Sequence, residues 1–383
     1  ERVDSEGGTE TYLRSILPAL RDGGHDLRVI ARSTAVPDAY GVPSLAVPWS
    51  DEHDPPSLQA AASVDAIARD FAPDVTVVHN VLDAGVVSAA ARRSPRSIYH
   101  LHDHRPFCPN GDRLYPQGGG LCGVPMGART CGVHSLLHGC AYGPRPRTLA
   151  LVGIRERVAQ TVRNAGATIA FSHYVAELAR RNGVAGERIQ VLPPPLDDAA
   201  YATAPAARPS TDCVLFAGRV VPSKGARSLV RALARIEAPR RPLLRIAGDG
   251  PDLQPTLEDA RQRGVETIAL GRLDAPALRR AYDDATVVAF PSLWGEPFGL
   301  VGIEAFARGR PVVAYDVGAV SEWLEDRAGR RVDRGDESAL AFEIRRLLEP
   351  GAWNDAARNA WRAAQAYRLD DHVLRLEALY GRR

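Results

Sequence analysis

The stretch CVLFAGRVVPSKGARSLVRALARI, residues 213–236, decides the fold. Cys213–Phe216 is a short apolar run, the glycine, proline and charge of Gly218–Gly225 make a turn, and Ala226–Ile236 reads as a helix. The same unit then repeats. Strand Leu243–Ala247 leads to helix Leu253–Arg263, strand Thr267–Leu270 to helix Ala277–Asp283, and strand Val287–Phe290 to helix Gly299–Arg308. Strand Val312–Tyr315 follows, and helices Glu337–Leu348 and Trp353–Tyr367 close the series. Such alternation builds a parallel sheet with helices on both faces.

The first half carries the same rhythm. Tyr12, Leu13, Ile16, Leu17 and Leu20 share one face of a helix over Thr9–Arg21, which Gly23 and Gly24 end as a left-handed cap. Strand Leu27–Ala31, helix Ser63–Phe71, strand Val75–His79, helix Ala84–Arg92 and strand Ser97–Leu101 follow. Between Asp103 and Gly143 the periodicity stops and Gly, Pro, Cys and His are dense, which predicts an irregular, functional insertion over 103–145. Helix Thr148–Ala165, strand Thr168–Phe171, helix Tyr174–Asn182 and strand Ile189–Leu192 resume the pattern. Pro193-Pro194-Pro195 and the Ala/Pro stretch Ala199–Pro209 mark a linker. The expectation is an α/β protein of two doubly wound, Rossmann-like domains, 1–195 and 196–383, facing a central cleft. The last helix is expected to pack back on the first domain.

The whole composition agrees. At 383 residues the chain is too long for one core; 45% hydrophobic and 25% charged residues exclude disorder as its main state. Nothing approaches the roughly 20 apolar residues of a membrane helix. Basic residues number 48 against 46 acidic, so a global nucleic-acid footprint is absent. Five cysteines, an odd number, point to a reducing, cytoplasmic setting. The only methionine is Met126, so the chain is expected to begin downstream of its natural start.

The chemistry concentrates in two places. Arg219 and Lys224 put two cations within six positions where a strand runs into a helix, a place suited to an anion. Lys224 is the only lysine beside 47 arginines, so a compact, mobile point charge is kept at a phosphate-contacting position. In Glu296-Pro-Phe-Gly-Leu-Val-Gly-Ile-Glu304, one carboxylate precedes a helix and one lies inside it. Phe298, Gly299 and Leu300 offer the free backbone N–H groups of that helix start. Paired carboxylates accept hydroxyl hydrogen bonds, which suits a sugar and a ribose with phosphates on the amides.

This order of motifs resembles the retaining GT-B glycosyltransferases of family 4. The residues that carry the resemblance are Gly7-Gly8-Thr9-Glu10, Gly24-His25-Asp26, His102-Asp103, Ser172, Gly218-Arg219 with Lys224-Gly225, Gly248-Asp249-Gly250-Pro251, Gly271-Arg272-Leu273 and the two glutamates. It implies a sugar moved from a UDP- or GDP-sugar to a sugar or lipid-linked acceptor. No acidic pair stands where a donor-bound divalent metal would need one, so arginine and lysine are expected to take that role and no catalytic divalent metal is expected. By the same resemblance, Arg219 and Lys224 would hold the donor diphosphate, Glu304 the ribose hydroxyls and Glu296 the sugar hydroxyls. Phe298, Gly299 and Leu300 would give amides, Gly218 and Gly248 would form the donor-side turns, and Arg272 and Leu273 would lie near the base. Gly8 would let the first loop approach the diphosphate, and His102 would sit on the acceptor side. In that family a strand precedes the Gly-Gly loop; only six residues precede it here, so that strand is expected to be missing. Pro193–Asp197 stands where the family has an Asn-Gly turn.

Two features fall outside the resemblance. Cys108, Cys122, Cys131 and Cys140, separated by 13, 8 and 8 residues, are candidate ligands of a structural zinc or an iron–sulfur cluster, with His134 and His138 as spare ligands. Cys213 reads as core. Residues 88–163 hold 11 arginines and three acids, a local excess that predicts peripheral contact with an anionic membrane or acceptor. A sugar-nucleotide epimerase of the same fold and a metal-binding scaffold with a vestigial cleft are the rival functions.

Overall fold

The computed structural model describes residues 7–33, 38–50, 54–115, 120–140, 145–201 and 205–381. The chain divides into two compact units, residues 1–195 with 369–383, and residues 196–368. The strand expected ahead of Gly7 lies outside the described residues.

The first unit opens with α1 (Gly8–Asp22), which buries Tyr12, Ile16, Leu17 and Leu20. Gly24 alone takes the left-handed turn, at φ 85°, while Gly23 stays helical at −70°. There follow β1 (Val29–Ala31), β2 (Asp38–Ala39), β3 (Val42–Ala46), α2 (Leu58–Phe71), β4 (Val75–His79), α3 (Ala84–Arg92) and β5 (Arg96–Leu101). After them come α4 (Ala128–His138), α5 (Arg145–Asn164), β6 (Ala167–Ala170), α6 (His173–Arg181) and β7 (Ile189–Val191). Strands β4-β5-β6-β7 form one parallel sheet, and β1-β3-β2 form a second. Side-chain caps start the helices: Asp83 Oδ1 accepts from Gly85 and Val86, and Ser172 Oγ from Val175. Tyr99, Leu101, Phe107, Val162 and Val175 share one core.

Two readings need correction. The insertion is not wholly irregular, because α4 lies inside it. None of its residues is buried, so the segment has no apolar stripe by which a helix could be read. Strands β2 and β3 also escape the sequence, since Pro43 and Ser44 interrupt the apolar run.

The second unit contains β8 (Cys213–Ala217), α7 (Ala226–Ala234), β9 (Leu243–Ala247), α8 (Leu253–Gln262), β10 (Thr267–Gly271), α9 (Ala275–Asp283) and β11 (Val287–Phe290). It continues with α10 (Leu300–Ala307), β12 (Val312–Tyr315), α11 (Val320–Trp323), β13 (Gly329–Val332), α12 (Glu337–Leu348) and α13 (Pro350–Ala364). All six strands are parallel, in the order β10-β9-β8-β11-β12-β13. Strands β8, β11 and β12 are buried along their whole length, which is why their sequences are unbroken apolar runs. Edge strand β13 keeps Arg330 and Arg331 half-buried and so hides from an apolar search. Arg310, fully buried, donates to the carbonyls of Ala206, Ala207 and Ala285, fixing the segment that enters β8. The final helix, α14 (Leu369–Tyr380), belongs to the first unit, where His25 Nε2 meets Glu377 at 2.9 Å.

Candidate active site

In the second unit the carboxyl ends of β8, β9 and β11 converge. Gly218 N–H donates to Ala247 O at 2.9 Å and Val220 N–H to Asp249 O at 2.9 Å, lacing the turns after β8 and β9 together. Gly248 sits at φ 154°, and a Cβ there would stand 1.9 Å from the Gly218 carbonyl oxygen. Gly225, at φ 73°, closes the next turn; its Cβ would lie 1.9 Å from the Pro291 carbonyl oxygen. Only glycine lets these backbones touch.

That closeness sets Lys224 beside the loop after β11. Its Nζ donates to Glu296 Oε1 at 2.6 Å and lies 4.9 Å from the Trp294 ring centre. Ser292 Oγ donates to the same carboxylate oxygen. Glu296 is 3% exposed, so its charge is held out of water with a cation and a hydroxyl as partners. Its backbone carbonyl accepts from Ala319 N–H at 2.9 Å.

Helix α10 follows directly. Its first backbone bond runs from Gly302 N–H to Gly299 O at 3.0 Å, so the preceding amides face outward from the helix start. Trp323 Nε1 donates to Phe298 O at 2.7 Å and steadies this approach. One turn further, Glu304 Oε2 accepts from the Tyr282 hydroxyl at 2.7 Å. Burial raises the Glu304 carboxyl above its ordinary value, partly opposed by that hydrogen bond. The bland alternative of an exposed mid-helix glutamate is therefore excluded. Arg219 and Arg272 stand exposed at the ends of β8 and β10, and Leu273 is half-buried.

The structure thus gathers Lys224, Glu296, Gly218, Gly248 and the α10 start into one strand-end surface, with Glu304 a turn away. Ser292, Trp294, Tyr282 and Trp323 belong to the same machinery and were not legible. Each is a single polar or aromatic residue whose role arises only when distant loops meet.

His102 has a different setting, in the first unit. It follows β5, and its Nε2 lies 3.0 Å from Nδ1 of His79 at the end of β4. His100, on β5, packs 4.7 Å from His102, 4.9 Å from Tyr12 and 4.7 Å from Phe171, centre to centre. The Tyr12 hydroxyl meets His372 Nε2 at 2.9 Å, while His372 Nδ1 donates to Pro193 O at 2.9 Å. Gly8 begins α1 beside Thr9, whose Oγ1 accepts from Asn80 Nδ2 at 2.6 Å.

Burial lowers every ring of this cluster: His79 to about 3, His372 to about 4, and His100 and His102 well below the usual histidine range. All four are neutral at neutral pH, so His102 meets His79 as a neutral imidazole and not as a cation. The ligand atoms of His79, His100 and His102 lie within 4.8 Å of one another. Two of those nitrogens already face each other as a hydrogen bond.

The sign of the pH effect follows. Folded values below about 6.5 mean that the unfolded chain binds more protons, so stability is complete above about 6.5 and is lost as pH falls toward the folded values. Urea midpoints are expected to drop between pH 7 and pH 5, and His100→Leu is expected to flatten that slope. A wild-type midpoint constant over this range would contradict the neutral cluster.

The four insertion cysteines come together in one cavity of the first unit. Part of the arginine excess of residues 88–163 is spent inside the fold, while Arg129 and Arg157 stand exposed. Arg113 is buried on the carbonyls of Cys122 and Val124, and Arg155 is buried as well. Arg93 pairs with Asp65, Arg105 with Asp103 and Arg163 with Glu156. The side chains of Arg145 and Arg147 lie outside the described residues. A charge count could not foresee this, because burial and pairing consume the donors.

Residues 6–200 match the family model described as Glycosyltransferase Family 4, and residues 211–350 match that of Glycosyl transferases group 1. A D-inositol 3-phosphate glycosyltransferase of Acidothermus cellulolyticus is 28% identical over 407 aligned positions, covering 98% of this chain and 85% of that protein. An uncharacterized glycosyltransferase of Methanocaldococcus jannaschii is 37% identical over 139 residues, about a third of each protein (35% and 35%). Anabaena Alr3699/HepE, solved in complex with UDP and glucose, has the same fold: the TM-score is 0.72 at 20% identity, over 100% of this chain and 98% of that one.

Proposed function

We propose that this chain, which belongs to Glycosyltransferase Family 4 and has the GT-B fold, moves a sugar from a nucleoside-diphosphate donor to an acceptor with retention of configuration. The observation that carries the reading is the Lys224–Glu296 pair, buried against the glycine-built turns after β8 and β9. A donor diphosphate takes Lys224 and Arg219 as counter-charges and the α10 amides as hydrogen-bond donors. Glu296 then accepts from sugar hydroxyls, and Glu304 from the ribose. Arg272 and Leu273 flank the base. We assign charge neutralisation to the two cations, without a catalytic divalent ion. UDP is the favoured nucleotide, supported by the UDP bound to Alr3699/HepE; GDP is the next.

On the first unit, neutral His102 hydrogen-bonds an acceptor hydroxyl, and Gly8 gives close backbone approach. Exposed Val133, Leu136 and Leu137 on α4 favour a lipid-linked acceptor met at a membrane surface over a free sugar. Among the described residues no helix is long and apolar enough to cross a membrane. Free thiols fit a cytoplasmic location.

Product analysis tests the reading. With UDP-glucose and a lipid-linked sugar as acceptor, beside free D-inositol 3-phosphate, UDP release should depend on the acceptor and the new linkage should keep the donor's configuration. Free nucleotide with an epimerised sugar, formed from donor alone, would instead make the chain an epimerase. The two glutamates separate further. Glu304→Gln is expected to weaken UDP and UDP-glucose alike, about tenfold, whereas Glu296→Gln weakens only UDP-glucose. Calorimetry that found the same losses for both variants on both ligands would refute the assigned roles. Because burial disfavours the Glu304 charge, Glu304→Gln should also raise the melting temperature at pH 7, and less so near pH 4.

A further inference from the structure

We propose that Cys108, Cys122, Cys131 and Cys140 form a structural zinc site, each giving one thiolate to a single Zn(II). The four come from separate pieces of chain. Cys108 follows the short helical turn Arg105–Phe107, and the Cys122 N–H donates to Arg113 O at 2.7 Å. Cys131 lies on α4, and Gly139, at φ 63°, ends that helix so that Cys140 turns back. Yet all four line one cavity, walled by Phe107, Leu114, Val124 and Met126, with no carboxylate in its lining.

The four are free, partly exposed cysteines, unlike the buried Cys213 of the second unit. The one guanidinium in the lining, Arg113, is engaged by the carbonyls of Cys122 and Val124 at 2.6 and 2.9 Å. Binding of a dication releases the thiol protons to solvent.

The segment also needs an anchor. α4 has no buried residue, so packing alone does not hold it. Four thiolates suit tetrahedral zinc, and the binding free energy becomes folding free energy for residues 108–140. His134 lines the same cavity with a buried, unpartnered Nδ1 and would donate a hydrogen bond to a sulfur.

Elemental analysis, an absorption spectrum and thiol titration of the full chain decide the matter. About one zinc per chain is expected, with the four thiols unreactive until a strong chelator is added. Cys131→Ser and Cys140→Ser should each lower retained zinc about tenfold after dialysis, while Cys213→Ser keeps it. If a variant fails to fold, cobalt added to chelator-stripped wild type should give the intense visible absorption of a tetrahedral thiolate complex. Hydrogen exchange should quicken within residues 108–140 when zinc is removed. Less than about a tenth of a metal per chain with four reactive thiols, iron with charge-transfer bands, or disulfides in place of thiols would each overturn the proposal.

Discussion

Lys224→Ala and Arg219→Ala are each expected to lower turnover by about a hundredfold or more while changing UDP affinity far less. Charge builds on the diphosphate as the glycosidic bond breaks, so contacts from these cations strengthen toward the transition state. The two variants differ in a useful way. Arg219 is exposed, and its loss should leave the melting temperature unchanged. Lys224 is the cation of buried Glu296, so its loss strands a carboxylate and should also lower stability. Adding Glu296→Gln to Lys224→Ala should restore stability without restoring turnover. Steady-state kinetics beside calorimetry read both effects. Unchanged turnover with only a raised UDP dissociation constant would remove the assignment.

Gly248→Ala is expected to abolish donor binding and to destabilise the second unit. A methyl placed 1.9 Å from the Gly218 carbonyl oxygen meets only backbone atoms of Gly218, and no side-chain rotation relieves it. The φ of 154° adds strain of its own for a residue with a Cβ. The loss should reach about 3 kcal/mol or more, and the turns after β8 and β9 must separate to accommodate it. Thermal denaturation of Gly248→Ala beside Gly351→Ala, where a Cβ would meet nothing within 4 Å, gives the comparison. Equal melting temperatures would show that the laced turns are not what forms the site.

Most of the architecture was legible because the second unit's central strands are buried on both faces. Val287–Phe290 and Val312–Tyr315 coincide with their predicted limits, since a fully buried strand leaves little room for polar residues. Where burial is partial the signal fades: β13 hides behind two arginines, and α4 has no buried stripe at all. The site was legible in part. Glycines at forced backbone angles and a solitary lysine stand out in one dimension, and they do meet Glu296 in three. Ser292, Tyr282 and the His79–His100 neighbours of His102 do not stand out, because their meaning is a distance. In the arginine-rich span part of the sequence signal goes into pairing with Asp65, Asp103 and Glu156, which a charge count does not show.

A thermal-shift titration of the full chain with UDP-, GDP- and ADP-glucose tests the central claim most directly, because a ligand that binds only the folded protein raises its melting temperature by mass action. UDP-glucose should give a saturating rise, GDP-glucose a smaller one, and Arg219→Ala should retain most of the UDP-glucose shift. No shift with any of the three sugars at millimolar concentration would contradict a nucleotide-sugar site on this chain.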